Sequence, residues 1–241
     1  MSQVIGVFGA GAVRLEKEIK LPSGRTVTVL ETTGKQEALF NDLSPSELPS
    51  VINRYLAEVT TNLDGVSGHP DVLAFDKMLL GDRTAILLSC RILTHGNILE
   101  YTLDCSQCGK KSDHEIDIQK IVDDIKPYPE NDQREFSVDL DGGTLYFELP
   151  TGLTEKKLLK TGKPDVNKKL KVMRVWEKTE KGTFPVDVDS LKSRHLAALR
   201  KAVKDKECEI DATAILVCPD CGKHHTTGVV DNVNFMFPHL I

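Results

Sequence analysis

The sequence has few aromatic residues, no surplus of basic charge and no long apolar segment. Aromatic side chains make up 5% of its 241 residues and the formal net charge is −5, whereas nucleic-acid-binding proteins usually combine a basic surplus with exposed rings. No apolar run approaches the roughly 18–20 residues that are needed to cross a bilayer. The composition therefore argues against nucleic-acid binding and membrane insertion. It is ordinary for a globular protein of one large domain or two modest ones.

The motifs of common enzyme classes are also missing. The sequence contains no Gly-x-Ser-x-Gly, no His-Glu-x-x-His and no phosphate-binding loop with its lysine. Its glycine-rich start lacks the third glycine of a dinucleotide-binding loop, because that position is Arg14. His95 and His195 lie in predicted helices near basic residues, where a surface or helix-end position is the simpler interpretation. We expect no catalytic residues and a protein that is not an enzyme.

Four of the six cysteines form two copies of the pattern Cys-x-x-Cys-Gly-Lys, at residues 105–110 and 218–223. A two-residue spacer lets both sulfur atoms of one copy point at a single tetrahedral ion, and the glycine supplies the positive φ that turns the chain away. Tetrahedral ligation by sulfur alone favours zinc or iron–sulfur chemistry. We predict that four cysteines bind one structural Zn²⁺ ion: Cys105, Cys108, Cys218 and Cys221.

A shared ion has a consequence for the architecture. Residues 97–105 and 208–217 would have to meet in space, and the segment between them would be an excursion clamped at its base. Two alternatives stay open: separate redox pairs, or parts of two sites completed by His114, His224 or His225. Disulfides suit small secreted chains, and we see no secretory signal at the N-terminus. Reduced thiols in a cytosol therefore fit the sequence better.

Hydrophobic periodicity predicts an α+β protein with a helical N-terminal half and a β-rich half that is tied by a split zinc-ribbon-like site. A hairpin turns at residues 21–24, helices dominate residues 34–96, and Asp82 is predicted to cap the last of them. Strands flank each cysteine pair, and another hairpin turns at residues 141–143. A lysine-rich helical stretch follows through Trp176, and a further helix ends near residue 204.

We divide the chain into three parts. Residues 1–33 form an N-terminal arm and a β-hairpin, and residues 34–96 form a helical region. Residues 97–241 form a zinc-stapled α+β domain with an insertion at residues 119–207. The remaining cysteines, Cys90 and Cys208, are expected to be inert and inward-facing, since neither has a companion at metal-ligand spacing.

Basic charge is concentrated in residues 153–181, where ten Lys and Arg accompany four Asp and Glu. This local net charge of +6 leaves −11 for the rest of the chain. A solvated helical face explains it most simply, while an acidic protein partner or a nucleic-acid backbone are the alternatives. Together with the cysteine pairs, the segment motivates an alternative function, that of a nucleic-acid-binding zinc-ribbon protein.

Several segments, in their order along the chain, resemble the baseplate hub subunit family of T4-type contractile-tailed phages. They are Leu21-Pro22-Ser23-Gly24, Leu80-Gly81-Asp82-Arg83 leading into residues 85–93, His95-Gly96, Cys105-Ser106-Gln107-Cys108, Phe147-Glu148-Leu149-Pro150-Thr151-Gly152 and Asn234-Phe235-Met236-Phe237-Pro238. The resemblance covers most of residues 15–240.

The resemblance implies a non-enzymatic structural or assembly component of a contractile phage tail baseplate, in its central hub. Its implied partners are other hub, wedge or tail tube proteins. The protein would be assembled in the host cytoplasm and would be a virion component of the tail. In that setting the apolar N-terminal arm and residues 235–237 are candidate docking elements, because aromatic anchors often dominate the energy of an interface.

Overall fold

The computed structural model describes residues 14–41, 43–44, 47–160, 166–230 and 233–236. Parts of three predicted features lie outside these residues: the N-terminal arm at 1–13, the lysine-rich helical stretch at 161–165, and the closing Phe237-Pro238. The predicted division into three domains stays a prediction, whereas the α+β class is confirmed.

The first sheet is built from the N-terminal part of the chain. Its antiparallel strands are β1 (Glu16–Lys20), β2 (Thr26–Leu30), β3 (Thr60–Leu63) and β4 (Val66–Ser67), in that spatial order. The predicted hairpin is confirmed: β1 and β2 pair from Glu16↔Leu30 to Lys20↔Thr26, and Gly24 turns the chain with φ +88°. Val27 and Val29 are buried while β1 is mostly exposed.

The second sheet comes from the middle of the chain. Its strands are β7 (Glu135–Leu140), β8 (Gly143–Glu148), β9 (Val175–Thr179) and β10 (Gly182–Pro185), in the order β10-β9-β8-β7. The predicted hairpin at residues 141–143 is confirmed by the β7–β8 pairing. Two separate two-stranded hairpins complete the β structure: β5 (Ile98–Asp104) with β6 (Lys111–Asp117), and β11 (Thr213–Val217) with β12 (His224–Gly228).

The helices surround and connect these sheets. They are α1 (Gly34–Glu37), α2 (Leu48–Glu58), α3 (Val72–Lys77), α4 (Leu80–His95), α5 (Ile118–Asp123), α6 (Gly152–Lys160), α7 (Val166–Val172), α8 (Ser193–Lys206) and α9 (Val233–Met236), with 3₁₀ turns at Ala38–Phe40 and Val188–Ser190. No helix within the described ranges has the length and apolar character needed to cross a membrane.

Three sequence predictions need correction. The N-terminal half is not simply helical, because β3 and β4 lie between α2 and α3 and join the first sheet. Trp176 lies in β9 rather than in a helix, where pairing with β8 overrides the local helical pattern. Asp82 does not cap α4 but lies in its first turn, where its carboxylate accepts a hydrogen bond from the backbone N–H of Ser23 at 2.9 Å. It therefore anchors the first hairpin turn.

Helix α4 is the central element of the molecule. Ile86, Leu88 and Cys90 are fully buried on it, and Gly96 caps its C-terminus with φ +78° and a backbone N–H bond to the Ile92 carbonyl of 2.9 Å. The burial of Cys90 agrees with its predicted core role. A buried α4 explains the nearly continuous apolar pattern of this segment.

Buried side chains form two hydrophobic cores. The first core packs α2 and α4 between the first sheet and the two hairpins, and it includes Tyr55, Leu88 and Leu216. The second core lies between the second sheet and α8, and includes Phe147, Leu170 and Leu199. Cys208 packs against the second core, so it faces inward as predicted.

A buried polar network around Arg83 connects helices that pack in the first core with helix α6, which follows β8 of the second sheet. Arg83, only 2% exposed, donates to the Asn53 side-chain oxygen at 2.5 Å, to the Phe75 carbonyl at 2.8 Å and to the Glu155 carboxylate at 2.6 Å. Lys156 pairs with Asp76 beside it. Because Glu155 and Lys156 lie on α6, the network connects the second sheet's segment to the helices of the first core.

Candidate metal centre

The two hairpins β5–β6 and β11–β12 carry the cysteine pairs at their tips. The ladder of β5 and β6 runs unbroken from Ile98↔Asp117 to Asp104↔Lys111. The ladder of β11 and β12 runs from Thr213↔Gly228 to Val217↔His224. Alternation places Leu99 and Leu216 inward and leaves Glu100 and Ile215 exposed, as expected for strands that are covered on one face.

The tips have the same backbone geometry. The N–H of Cys105 donates to the carbonyl of Lys110 at 2.9 Å, and the N–H of Gly109 donates back to Cys105 at 2.8 Å. The second tip repeats both bonds at 2.9 Å, from Cys218 to Lys223 and from Gly222 to Cys218. Gly109 and Gly222 have φ values of +71° and +69°, which explains why glycine follows the second cysteine of each pair.

The four predicted ligands come together between the tips. Their sulfur atoms all lie within 4.8 Å of one another. The Sγ atoms of Cys105 and Cys221 are 3.6 Å apart, and those of Cys108 and Cys218 are 3.7 Å apart. A tetrahedron with metal–sulfur arms of about 2.3 Å has edges of about 3.8 Å. The observed spacing therefore fits four sulfur ligands around one ion, and the predicted meeting of the two distant segments is confirmed.

The same distances separate this arrangement from a disulfide, in which the sulfurs are about 2.0 Å apart. All six cysteines are free thiols. Cys105 and Cys218 are buried, with 2% and 1% exposure, whereas Cys108 is exposed and Cys221 is half-buried. The site is thus closed toward the protein and open on one side to solvent.

The surroundings of the thiols shift the pKa values of Cys105 and Cys221 in opposite directions. Backbone N–H groups of Cys108 and Gln107 point at the sulfur of Cys105 and, with His225, lower the pKa of that thiol to about 5. For Cys221 the N–H of Lys223 favours the thiolate, but desolvation and the neighbouring sulfurs outweigh it and raise the pKa to about 12. Ionisation of one thiol therefore makes ionisation of its neighbours less favourable. Four thiolates this close together require a cation between them.

Side chains around the sulfurs hold the two tips together. His225 Nε2 lies 3.3 Å from the Sγ of Cys105. Lys110 of the first tip pairs with Asp220 of the second at 2.5 Å. Lys110 and Asp220 lie within the two cysteine motifs, so their opposite charges are a sequence signal that the two tips pair.

A further contact joins the two hairpins away from the tips. The hydroxyl groups of Thr227 on β12 and Tyr101 on β5 lie 3.2 Å apart. This contact joins the two hairpins at one further point besides their tips.

The other candidate histidines of the sequence analysis have different surroundings from His225. His114 contacts the Ser112 hydroxyl at 2.9 Å, on β6. His95 ends α4 and His195 lies on α8, so neither belongs to the two hairpins. Among the candidate histidines, His225 is the one that touches a sulfur atom.

Of the comparisons with known proteins, the one with protein families found a match. The model of a family described as T4 bacteriophage base plate protein matches residues 14–237. This match covers both hairpins, both hydrophobic cores and all four clustered cysteines. Neither the search of curated proteins nor the search of solved structures found a match.

Proposed function

Since the chain belongs to the T4 bacteriophage base plate protein family, we propose that it is a non-enzymatic component of the central hub of a contractile phage tail baseplate. Membership of the family makes it a structural component of the phage baseplate and of the virion tail. The proposal adds the position in the hub, partnership with other hub, wedge or tail tube proteins, and assembly in the host cytoplasm.

The observation that carries the proposal is the family match over residues 14–237, which extends across nearly all described elements rather than over one motif. It is supported by the segments that resemble the hub subunits, several of which occupy structural positions. Leu80-Gly81-Asp82-Arg83 begins α4, and Gly152 begins α6 against it. A Cβ at Gly152 would lie 2.3 Å from the carbonyl oxygen of Phe75, so only glycine fits.

We propose further that the ion is Zn²⁺ and that its role is structural. Cys105, Cys108, Cys218 and Cys221 would supply four thiolates, which complete a tetrahedral shell and leave no position for water or substrate. Such an ion would cross-link the two hairpins, and its binding free energy would contribute to folding. The absence of an open coordination position supports a non-enzymatic role for this site.

The alternative of a nucleic-acid-binding protein loses support at the basic segment. Four of its cations are paired with acidic side chains from elsewhere in the chain: Lys156 with Asp76, Lys169 with Glu207, Lys171 with Asp189, and Arg174 with Glu135. Charge that is neutralised within the molecule attracts a phosphate backbone less than free charge does. Part of the positive charge of residues 153–181 is therefore used in ion pairs within the protein.

The proposal is tested by affinity-tagging the chain in cells infected by its phage and analysing tail assemblies by mass spectrometry. We expect the chain in fixed stoichiometry with hub proteins, either in virions or in hub intermediates. Binding of the purified chain to duplex DNA at low salt is measured in parallel, and we expect none that is steeply salt-dependent.

Absence of the chain from both virions and hub intermediates would contradict the hub assignment. If the chain is recovered only with wedge intermediates, the hub assignment is wrong and the chain belongs to the periphery of the same baseplate. Salt-dependent DNA binding that survives in a tag-free preparation would revive the nucleic-acid alternative.

A further inference from the structure

A groove of about 570 Å³ opens between strands β6 and β11, and it includes the end of the β5–β6 hairpin opposite its cysteine tip. Its walls are Glu115–Asp117 of β6 and Thr213–Leu216 of β11, and helix α5 forms its floor through Lys120 and Ile121. The hairpins that form the walls meet at their cysteine tips. The groove is lined by the strands and contains none of the cysteines.

Both walls end in strand edges that carry no ladder within the described part of the chain. Strand β6 pairs with β5 alone, and β11 pairs with β12 alone. A strand edge exposes backbone N–H and C=O groups that can pair with another extended chain. Ile98 and Ile215 line the groove and are 41% and 68% exposed. Apolar side chains on a free strand edge are typical of a surface that a partner covers.

The charge of the groove indicates what kind of partner fits. Its lining carries four carboxylates and one cation: Glu115, Asp117, Asp124, Asp211 and Lys120. Glu115 also lies directly opposite Glu100 in the β5–β6 ladder, a pairing of like charges that destabilises two strands. Basic side chains in the groove would relieve this repulsion.

The volume of the groove fits a short length of extended chain. A strand residue occupies about 160 Å³, from a rise of about 3.3 Å, a strand spacing of about 4.8 Å and a sheet spacing of about 10 Å. The groove therefore accommodates about three to four residues. This matches the four residues of β11, Thr213–Leu216, that line it.

We propose that this groove is the docking site for an extended segment of another baseplate protein, which carries alternating apolar and basic side chains and adds as a strand to the free edge of β11. The main-chain ladder would supply affinity and the carboxylates would select basic side chains. The inference rests on the proposed function, because it takes the partner from the baseplate.

The experiment uses the zinc-loaded full chain and a synthetic hexapeptide of alternating lysine and valine with blocked ends. Amide chemical shifts of the ¹⁵N-labelled chain are followed during titration through the millimolar range at low salt. We expect saturable shifts at β6, β11 and α5, and slower hydrogen exchange along β11. Two matched peptides serve as controls, and each should bind at least about tenfold more weakly. A glutamate–valine hexapeptide loses the charge attraction. A lysine–valine hexapeptide with alternate amides N-methylated loses the backbone hydrogen bonds to the strand.

Variants of the chain sharpen the result. Ile215→Lys and Glu115→Lys should each weaken binding of the lysine–valine peptide about tenfold, since both add repulsion to a basic strand. Val66→Lys is the control, because Val66 is an exposed apolar strand residue on β4, far along the chain from the groove. It should bind as the unaltered chain does.

Three outcomes would overturn the proposal: no saturable binding of the lysine–valine peptide, equal binding of the N-methylated peptide, or self-association of the chain through β11 in the absence of peptide. The last would assign the groove to a second copy. The test is independent of tail assembly. A chain that binds the peptide but is absent from baseplates would refute the proposed function alone, while a chain found in the hub that fails to bind would refute the groove alone.

Discussion

The two hairpins at the metal centre and the four-stranded sheet β7–β10 are β structures of the same chain that are stabilised in different ways. The sheet packs Phe136, Phe147 and Val175 against α8 in a core of its own. The hairpins have two strands each, and isolated two-stranded ribbons are at best marginally stable in water. Their inward side chains Leu99, Ile116 and Leu216 belong to the first core, and their tips add a set of four sulfur atoms within 4.8 Å of one another. We therefore expect that the proposed metal cross-link at the tips supplies stability that two strands alone lack.

This difference predicts that metal removal acts locally. Chelation, or Cys218→Ser, should abolish hydrogen-exchange protection in β5–β6 and β11–β12 while β7–β10 remain protected, because structural zinc contributes about 10–16 kcal/mol to the folding of zinc-finger peptides. Cys208→Ser is the matched control, since Cys208 packs against the second core and lies outside the cluster. Equal loss of protection in both regions would break the comparison.

A smaller effect is expected where the two regions are joined. Arg83→Met leaves the Glu155 carboxylate and the buried Asn53 and Phe75 oxygens without their donor, so we expect a loss of about 3–5 kcal/mol in the free energy of unfolding. Denaturant titration measures it. Arg54→Met, at an exposed ion pair with Glu58, is the control and should cost less than about 1 kcal/mol. Similar losses in the two variants would show that the buried network does not couple the regions.

The smallest effect is expected at the surface pair between the tips. Lys110→Ala removes the contact with Asp220, whose side chain raises the pKa of Lys110 by hydrogen bonding. Because the folded pKa is raised, any stabilisation is complete at neutral pH and disappears as the pH rises through that pKa. We expect a barely measurable shift in the thermal midpoint at pH 7 and none in strong alkali. A large shift at pH 7 would mean that the tips depend on this pair more than on the sulfur cluster.

The sequence predicted the clustering of the four cysteines better than it predicted the elements around them. Cys-x-x-Cys-Gly-Lys fixes a local backbone geometry, so Gly109 and Gly222 could be assigned their positive φ from the pattern alone. The meeting of the two tips followed from the requirement of four ligands, not from any local signal. In the same way, the β1–β2 hairpin was predictable because its turn residues and flanking strands are adjacent in the chain.

What sequence reasoning missed depends on distant partners. Strand β3 is short and polar, and it becomes a strand because β2 offers it a free edge. Trp176 and its neighbours pair with β8, which lies across two helices in the chain. Asp82 has the side chain of a helix cap but serves the Ser23 turn instead. In each case a long-range hydrogen bond or ladder outweighs local propensity.

The most direct test of the account is the metal content and ligand shell of the purified, reduced chain. Elemental analysis and X-ray absorption should find one zinc ion per chain with four sulfur neighbours at about 2.3 Å, and both Cys105→Ser and Cys218→Ser should lose it. A chain without metal, or one in which Cys105→Ser keeps the ion at the second tip, would contradict a shared site and remove the clamp from the architecture described above.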